Sequence, residues 1–566
     1  MKKILFLVFC CLPLSVISAE NCQIKDQLPL LLMQQELDRN LKVLKKQKPP
    51  IYYMSYTYTQ GEAIFLGFSS GGLKEQYRRP VSEAEVSLRA GSPRMDNTRS
   101  LRGEYQRNQQ LRPEEPALIT PENKEDFLHT YWRLTQHLAK NAQEDFIRVK
   151  TNVRSRAENK DKSDDFVFPP LSQYCHEEPL QSFDLAKIKD LLSAASRLTI
   201  GEEVVLGSSF NFSVEQGHRY FADSVGSLLK TPYAYIRLTY SLYGRGKDGA
   251  EIERFKDYNV RSQKDLPSLQ QLTKDVMQSI GQLKALAKAE EGASATVPVI
   301  LKGRAAAVFV HEVMGHRLEG DQLKNADDGQ TLAGKVGQQV ISPLITITAD
   351  PTMSEFNGEP LRGAYEYDDE GVKARPVVLI ENGVLRNFMM RSSPIEGFPV
   401  SNGHGRKERG YAAAARMSVL RATASKTVSY EALEEMLLAE VRRQNKPYGF
   451  IVEDLGGGFT FTGSSMPQSF KLETKLVYKV YPDGRREVVR GLDVIGTPLV
   501  SFNRIMAAAN DDAVFNGSCG SVSGWVPQTN IAPSLLFETM EFQKAQKSAF
   551  KPPILPAPNF KREENK

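Results

Sequence analysis

The chain has 566 residues, of which 41% are hydrophobic and 25% charged, and its formal net charge is +5. That length exceeds one ordinary domain, and these fractions belong to a folded globular protein, which excludes a fibrous or a disordered chain. So small a charge argues against a nucleic-acid binder, and no internal stretch supplies the roughly 18–20 apolar residues of a membrane span.

The chain opens "MKKILFLVFCCLPLSVISAENC", with basic Lys2 and Lys3, an apolar run from Ile4 to Ile17, and small Ser18 and Ala19. That is the layout of a secretory signal peptide. Cleavage after Ala19 is expected, which sets residues 1–19 outside the fold and predicts export to the periplasm or the medium, with no membrane span after cleavage. Three cysteines then remain, Cys22, Cys175 and Cys519. Disulfides persist in an exported protein, and Cys22 with Cys175 is the natural pair if Cys519 has another job. Spacing alone does not establish the bridge.

Residues 26–48 carry apolar side chains at helical spacing, and Pro49 and Pro50 end that helix. "IYYMSYTYTQGEAIFLGFSS" reads as two β-rich runs around a Gln-Gly turn. Residues 91–118, rich in Arg, Gly and Pro, read as a polar connection. A second amphipathic helix follows in "KEDFLHTYWRLTQHLAKNAQEDFIRVKT", then a charged loop at 158–165. A third helix spans 182–198 with Ser182 as its N-cap. Strand-like runs at 203–213 and 232–243 precede a fourth helix over 265–290. The small, polar "EEGASAT" after it marks a boundary.

Beyond residue 296 one helix, at 303–318, is followed mostly by strands and turns. "VVLIENGVLRNFMM" predicts a hairpin with an Asn-Gly turn, and "LVYKVYPDGRREVVRGL" another around Asp483-Gly484. One more helix covers 429–444, and the tail after Lys544 is proline-rich, then charged. The expected fold class is α+β: an N-terminal α+β domain at 20–295, a C-terminal β-rich domain at 296–545 with an antiparallel sheet and the 303–318 helix at its start, and a tail at 546–566.

That helix contains "FVHEVMGHRLEGD", residues 309–321. The zinc-peptidase helix H-E-x-x-H spaces its histidines four apart, and here His311 and His316, with Glu312 between them, are five apart. At about 100° per residue, five residues turn the side chains about 140° from each other, so they share one ion only if the helix is distorted. A π-type turn is the expected distortion, with Gly315 the cheapest place to yield. The alternative is a structural helix that happens to hold two histidines. Against it, the preceding "LKGRAAAVFV" suits a buried helix, where an uncompensated His-Glu-His set would be costly and a metal would remove that cost. A catalytic zinc takes a third protein ligand and keeps one open position. Cys519 in "NGSCGS", His404 in "SNGHGRKERG" and several carboxylates are candidates for that third place.

Taken together these residues resemble the TldD/PmbA metallopeptidases. The family's H-E-x-x-x-H helix matches His311, Glu312 and His316. Its following stretch resembles residues 365–390, its Asn-Gly loop residues 401–406, and its late Cys-Gly loop Cys519-Gly520. The resemblance implies one zinc ion per chain on His311, His316 and Cys519, with Glu312 as the base. It also implies a peptidase of extended or unfolded peptides that pairs with a second copy or a homologue. Tyr365, His404 and Arg406 are candidates for a second oxyanion donor. A β-rich domain could hold an extended peptide along a sheet edge. The chain departs from the cytoplasmic members in its signal peptide, its longer N-terminal region and its tail, and "VSLRAGSPRMDNTRS" resembles exported-type relatives. Two other classes stay open: a metal-dependent amidase of a non-peptide substrate, and a non-catalytic regulatory partner of a homologous peptidase.

Overall fold

The structure, a computed structural model, describes residues 22–99, 119–155, 162–324, 330–460 and 469–545. The expected signal peptide at 1–19 and the tail at 546–566 lie outside the described residues, as do residues 100–118 of the polar connection.

Helix α1 (Leu28–Leu44) stops short of Pro49 and Pro50, as its sequence predicts. Strands β1 (Ile51–Ser69) and β2 (Gly72–Ser92) form one long hairpin, which differs from the expected turn at Gln60-Gly61. The strand runs straight through because Gly61 faces Gly217 across the sheet, and a Cβ there would lie 2.0 Å from the Gln216 carbonyl oxygen. Gly61 serves close strand approach rather than a turn. The chain reverses instead at Ser70-Gly71, where both residues have positive φ, 49° and 78°.

After α2 (Lys124–Ser155) comes α3 (Leu185–Arg197), capped by Asp184 rather than by Ser182. The Asp184 carboxylate accepts from the Lys187 amide, whereas Ser182 lies two residues before the cap. Strands β3 (Gly207–Asp223), β4 (Leu228–Arg245) and β5 (Glu251–Val260) follow, then α4 (Leu269–Lys288) behind a Ser268 cap. Strand β5 was not foreseen, because its charged residues mask an alternating, half-buried edge strand. The seven-stranded sheet runs Met95–Asp96, β2, β1, β3, β4 and Gln173–Cys175, with β5 also on β4. Helices α1 and α2 cover Met54, Tyr56 and Tyr58, while α3 and α4 cover Ile64, Leu66 and Phe68 farther along the same strand. Cys22 and Cys175 form a disulfide with Cα atoms 5.5 Å apart, which clips the start of the described chain to the strand Gln173–Cys175.

The second half comprises β6 (Ala295–Leu301), α5 (Gly303–Val313), β7 (Ile345–Ala349), β8 (Val377–Glu381), β9 (Val419–Ala424), α6 (Tyr430–Arg443), β10 (Gly449–Thr460), β11 (Phe470–Val480), β12 (Arg486–Arg490), β13 (Leu492–Gly496), β14 (Ala513–Ser521), β15 (Gly524–Ala532) and β16 (Leu535–Lys544). The predicted hairpins form at Asn382-Gly383 and Asp483-Gly484. A six-stranded sheet runs Val384–Leu385, β8, β7, β9, β15, β14, and an eight-stranded one runs β10, β6, β16, β13, β11, β12, Glu290–Glu291, with Ile505–Ala508 on β16. Strand β10 also pairs with β11, so five of these strands close on themselves. Most pairs are antiparallel, but β6 with β10 and β9 with β15 are parallel.

Helix α5 packs against β10 and β11 of one sheet and β14 and β15 of the other. Its Phe309 ring lies 4.8 Å from Phe502, 5.2 Å from Phe537 and 5.8 Å from Phe470, centroid to centroid, and is fully buried. Truncating such a ring costs about 3–5 kcal/mol. The loops after α5 are tied to the seven-stranded sheet by charge: Lys407 to Glu85 at 2.5 Å, Arg409 to Glu83 at 2.7 Å and to Glu215 at 2.6 Å, and Arg219 to Asp369.

Two glycine-to-alanine changes should move stability in opposite directions. Gly61→Ala forces a Cβ into backbone and should cost about 1–3 kcal/mol or more, the scale of overpacking. Gly281→Ala, on an exposed turn of α4 with nothing within 4 Å, should gain about 1 kcal/mol of helix propensity. Urea midpoints of the two variants check both signs.

Candidate metal centre

The site begins where α5 ends. Val313 is the last helical residue, Met314 takes φ −117° and ψ −40°, and Gly315–Leu318 tighten into a 3-10 turn. The expected π-type turn does not form. The helix breaks at Met314 instead, and this change of backbone direction, not the winding of the short 3-10 turn after it, brings the second histidine round. Gly315 supplies space rather than a weak point in the helix: a Cβ there would lie 2.2 Å from the Met417 sulfur and 3.4 Å from Leu420. The two imidazole centroids end 5.2 Å apart, with their planes at 77°.

Cys519 arrives from β14, paired across the hairpin with Val526 on β15. One nitrogen from each of His311 and His316 and the Cys519 sulfur all lie within 4.8 Å of one another, and all three residues are buried. His316 Nε2 lies 3.4 Å from Cys519 Sγ. Glu312 stands beside them, its Oε1 4.0 Å from His311 Nε2. The other ring nitrogens face outward to protein partners. Glu319 Oε2 lies 3.3 Å from His316 Nδ1, and the Asn530 side-chain amide lies 3.1 Å from His311 Nδ1. A carboxylate on the second nitrogen, as Glu319 is on His316, is how metal-ligating histidines are held in tautomer and ring orientation.

The charges agree with the geometry. Burial alone would raise the Cys519 thiol, but the adjacent His316 and His311 outweigh it and pull its pKa well below the usual thiol value. Burial opposes a charge on His316, yet Cys519 and Glu319 outweigh it and hold the imidazolium well above its usual range. Both shifts run the same way, toward a thiolate beside an imidazolium. Burial pushes Glu312 up from the usual carboxylate range, against the pull of His311 and His316. Two imidazoles and a thiolate, enclosed and oriented from behind, are a donor set that fits zinc.

The other sequence candidates are held elsewhere. His404 is fully buried, with Nδ1 2.9 Å from Asn402 Oδ1 and Nε2 3.2 Å from Ser418 Oγ. The Tyr365 hydroxyl donates to the Gly403 carbonyl at 2.8 Å. Arg406 donates to the carbonyls of Met417 and Pro527, both at 2.6 Å, and covers the Tyr365 ring. These three side chains build the loop at 401–406. Glu319 and Asn530 were missed by the sequence reading. Glu319 was findable, because it follows His316 by three residues inside the quoted motif. Nothing local marks Asn530.

Residues 294–544 match a family model described as the PmbA/TldA metallopeptidase C-terminal domain. The chain is 27% identical over 374 residues to a metalloprotease TldD homolog of Haemophilus influenzae, a match that covers 64% of this chain and 73% of that protein. It is 25% identical over 241 residues to a zinc metalloprotease TldD homolog of Saccharolobus solfataricus, covering 42% of this chain and 49% of that one. In fold it is similar to TldE from Thermococcus kodakarensis, with a TM-score of 0.57 at 16% identity, over 90% of this chain and 100% of the other. The names support membership of the TldD/PmbA family, and the fold agrees with the α+β class read from the sequence.

His404 gives a pH signature of its own. Burial pushes its pKa down to about 3 from 6.5. The unfolded chain takes up a proton near pH 6.5 that the folded chain refuses. His404 therefore subtracts nothing above that pH and costs about 1.4 kcal/mol per pH unit as the pH falls below it. The unfolding free energy of wild type should then drop faster between pH 6 and 4 than that of His404→Gln. Urea titrations across that range check it; parallel curves would refute it.

Proposed function

We propose that this protein is a zinc-dependent peptidase of extended or unfolded peptides, with His311, His316 and Cys519 holding the ion and Glu312 acting as the base. The observation that carries the reading is the convergence of three ligand groups on one buried point, with a carboxylate beside it. The metalloprotease names of the relatives support it. When bound, zinc supplies a Lewis acid and lowers the pKa of water at the site.

The chain's own residues do the rest. Glu312, held above the usual carboxylate range by burial, accepts the proton of the attacking water and returns it to the leaving amine. The Gly458 backbone amide bonds to its carboxylate and keeps it from rising further. Glu319 accepts from the outer ring nitrogen of His316, which leaves Nε2 of that ring for the ion, and the Asn530 side chain contacts His311 at Nδ1 from behind. An extended substrate is favoured by β10. That strand pairs with β6 only from Phe450 to Val452, so beyond Val452 this edge has no partner strand among the described residues. Gly456, Gly457 and Gly458 lie on that stretch, where a peptide backbone could add by hydrogen bonding.

Glu312→Gln should bind zinc and melt as wild type does, yet lose hydrolysis of an unfolded peptide by about 10²-fold or more. Cys519→Ala should lose most bound zinc, whereas Cys175→Ala should keep it. Metal content, melting temperature and peptide hydrolysis on one preparation decide the matter. Full activity with normal zinc in the Gln variant would refute the base assignment.

The signal-like N-terminus and the Cys22–Cys175 disulfide support export, since such bridges persist in oxidising compartments. The mature protein should begin near Glu20 in the periplasm or the medium. Recovery of Met1 on soluble cytoplasmic protein by N-terminal sequencing would count against it.

A further inference from the structure

We infer that Arg416 is a positioning residue for the metal centre: its one guanidinium ties the turn that carries His316 to the hairpin that carries Cys519. This inference rests on the ligand set proposed above and concerns what holds those ligands in register.

Among the described residues Arg416 heads the fully buried side chains by volume, and its side chain is 1% exposed. It reaches in two directions. Toward the His316 turn, its Nε lies 3.4 Å from Glu319 Oε1, and the other oxygen of that carboxylate lies 3.3 Å from His316 Nδ1. Toward the hairpin, Nη2 donates to the Cys519 carbonyl at 2.6 Å, and Nη1 donates to Ser523 Oγ at 2.8 Å and to the Gly524 carbonyl at 3.1 Å. One cation thus joins the imidazole, through Glu319, to the backbone of the thiolate ligand.

Such a tie is needed here. His316 lies beyond the end of the α5 ladder, on a short 3-10 turn, and Cys519 lies on a hairpin 203 residues away. Neither element fixes the other through local chain geometry. An apolar filler between them would avoid the several kcal/mol of burying a cation, so bulk alone does not account for an arginine there. The two Nη groups of arginine donate to three hairpin acceptors at once while its Nε keeps the charge beside Glu319, which a lysine ammonium on a flexible stem does not do. The competing account is an ion pair that stabilises the fold and ignores the metal. It predicts lowered melting temperatures with zinc affinity unchanged.

The test compares wild type, Arg416→Lys, Glu319→Gln and the double variant. Zinc dissociation constants are measured by chelator competition, cobalt(II) is substituted to read ligand geometry from the thiolate charge-transfer and d–d bands, and the metal-free melting temperature is recorded. Each single variant should bind zinc about 10- to 100-fold more weakly, as loss of an outer-shell partner does, and should shift the cobalt d–d bands. The double variant should be no weaker than the weaker single one, because both remove links of one chain. Wild-type zinc affinity with a wild-type cobalt spectrum in the variants, or losses that multiply in the double variant, would overturn the proposal. Should Arg416→Lys fail to fold, Ser523→Ala, which removes one hairpin partner of the guanidinium and touches neither histidine, decides by the same two readouts. A wild-type protein that binds no zinc overturns both this inference and the proposed function, whereas zinc binding that the variants leave untouched overturns only this one.

Discussion

Helix α5 is buried in a core of valine, alanine, leucine and phenylalanine, and at its end that core has to accept two imidazoles, a carboxylate and a thiol. Polar groups without partners in such surroundings cost several kcal/mol, so each one is answered. His316 has Glu319 and Cys519, and His311 has Asn530. The remaining nitrogen and sulfur atoms converge on one point. The rest of the architecture follows from bringing these buried groups together at that point.

The break at Met314 shows how this is done with a spacing that a regular helix cannot use. A straight helix would turn His316 away from His311. Ending the ladder at Val313 and breaking the helix at Met314 brings it back. The turn after the break needs room, which the absent side chain at Gly315 leaves for Met417 and Leu420. Two sheets meet across α5, so the helix end and the β14–β15 hairpin face each other, and the cysteine beside the two histidines comes from chain more than 200 residues away.

The first half of the chain contributes rigidity to this arrangement. Its long strands run unbroken because paired glycines let them approach closely, and charged residues on them grip the loops that follow α5. Those loops include the segment at 401–406, where Tyr365 and Arg406 donate to backbone carbonyls and His404 meets the side chains of Asn402 and Ser418. Residues that look reactive in a sequence can be structural for this reason: a buried polar side chain has to be spent on some partner, and the nearest one is often a carbonyl.

The sequence by itself determined the helices with clear caps and stops, the Asn-Gly and Asp-Gly hairpins, the α+β class, and the grouping of His311, Glu312 and His316, since all of these rest on interactions between near neighbours in the chain. Glu319 was within its reach through the same short spacing. Tertiary structure alone decided that the β1 strand continues through Gly61, that Asp184 rather than Ser182 caps α3, that the helix breaks instead of bulging, and that His404 stays apart while Cys519 joins the histidines. It also decided the roles open to Asn530 and Arg416. The physical reason is common to most of these: each outcome depends on atoms from distant segments competing for the same few cubic ångströms or the same hydrogen bond, and periodicity along one segment carries no record of that competition.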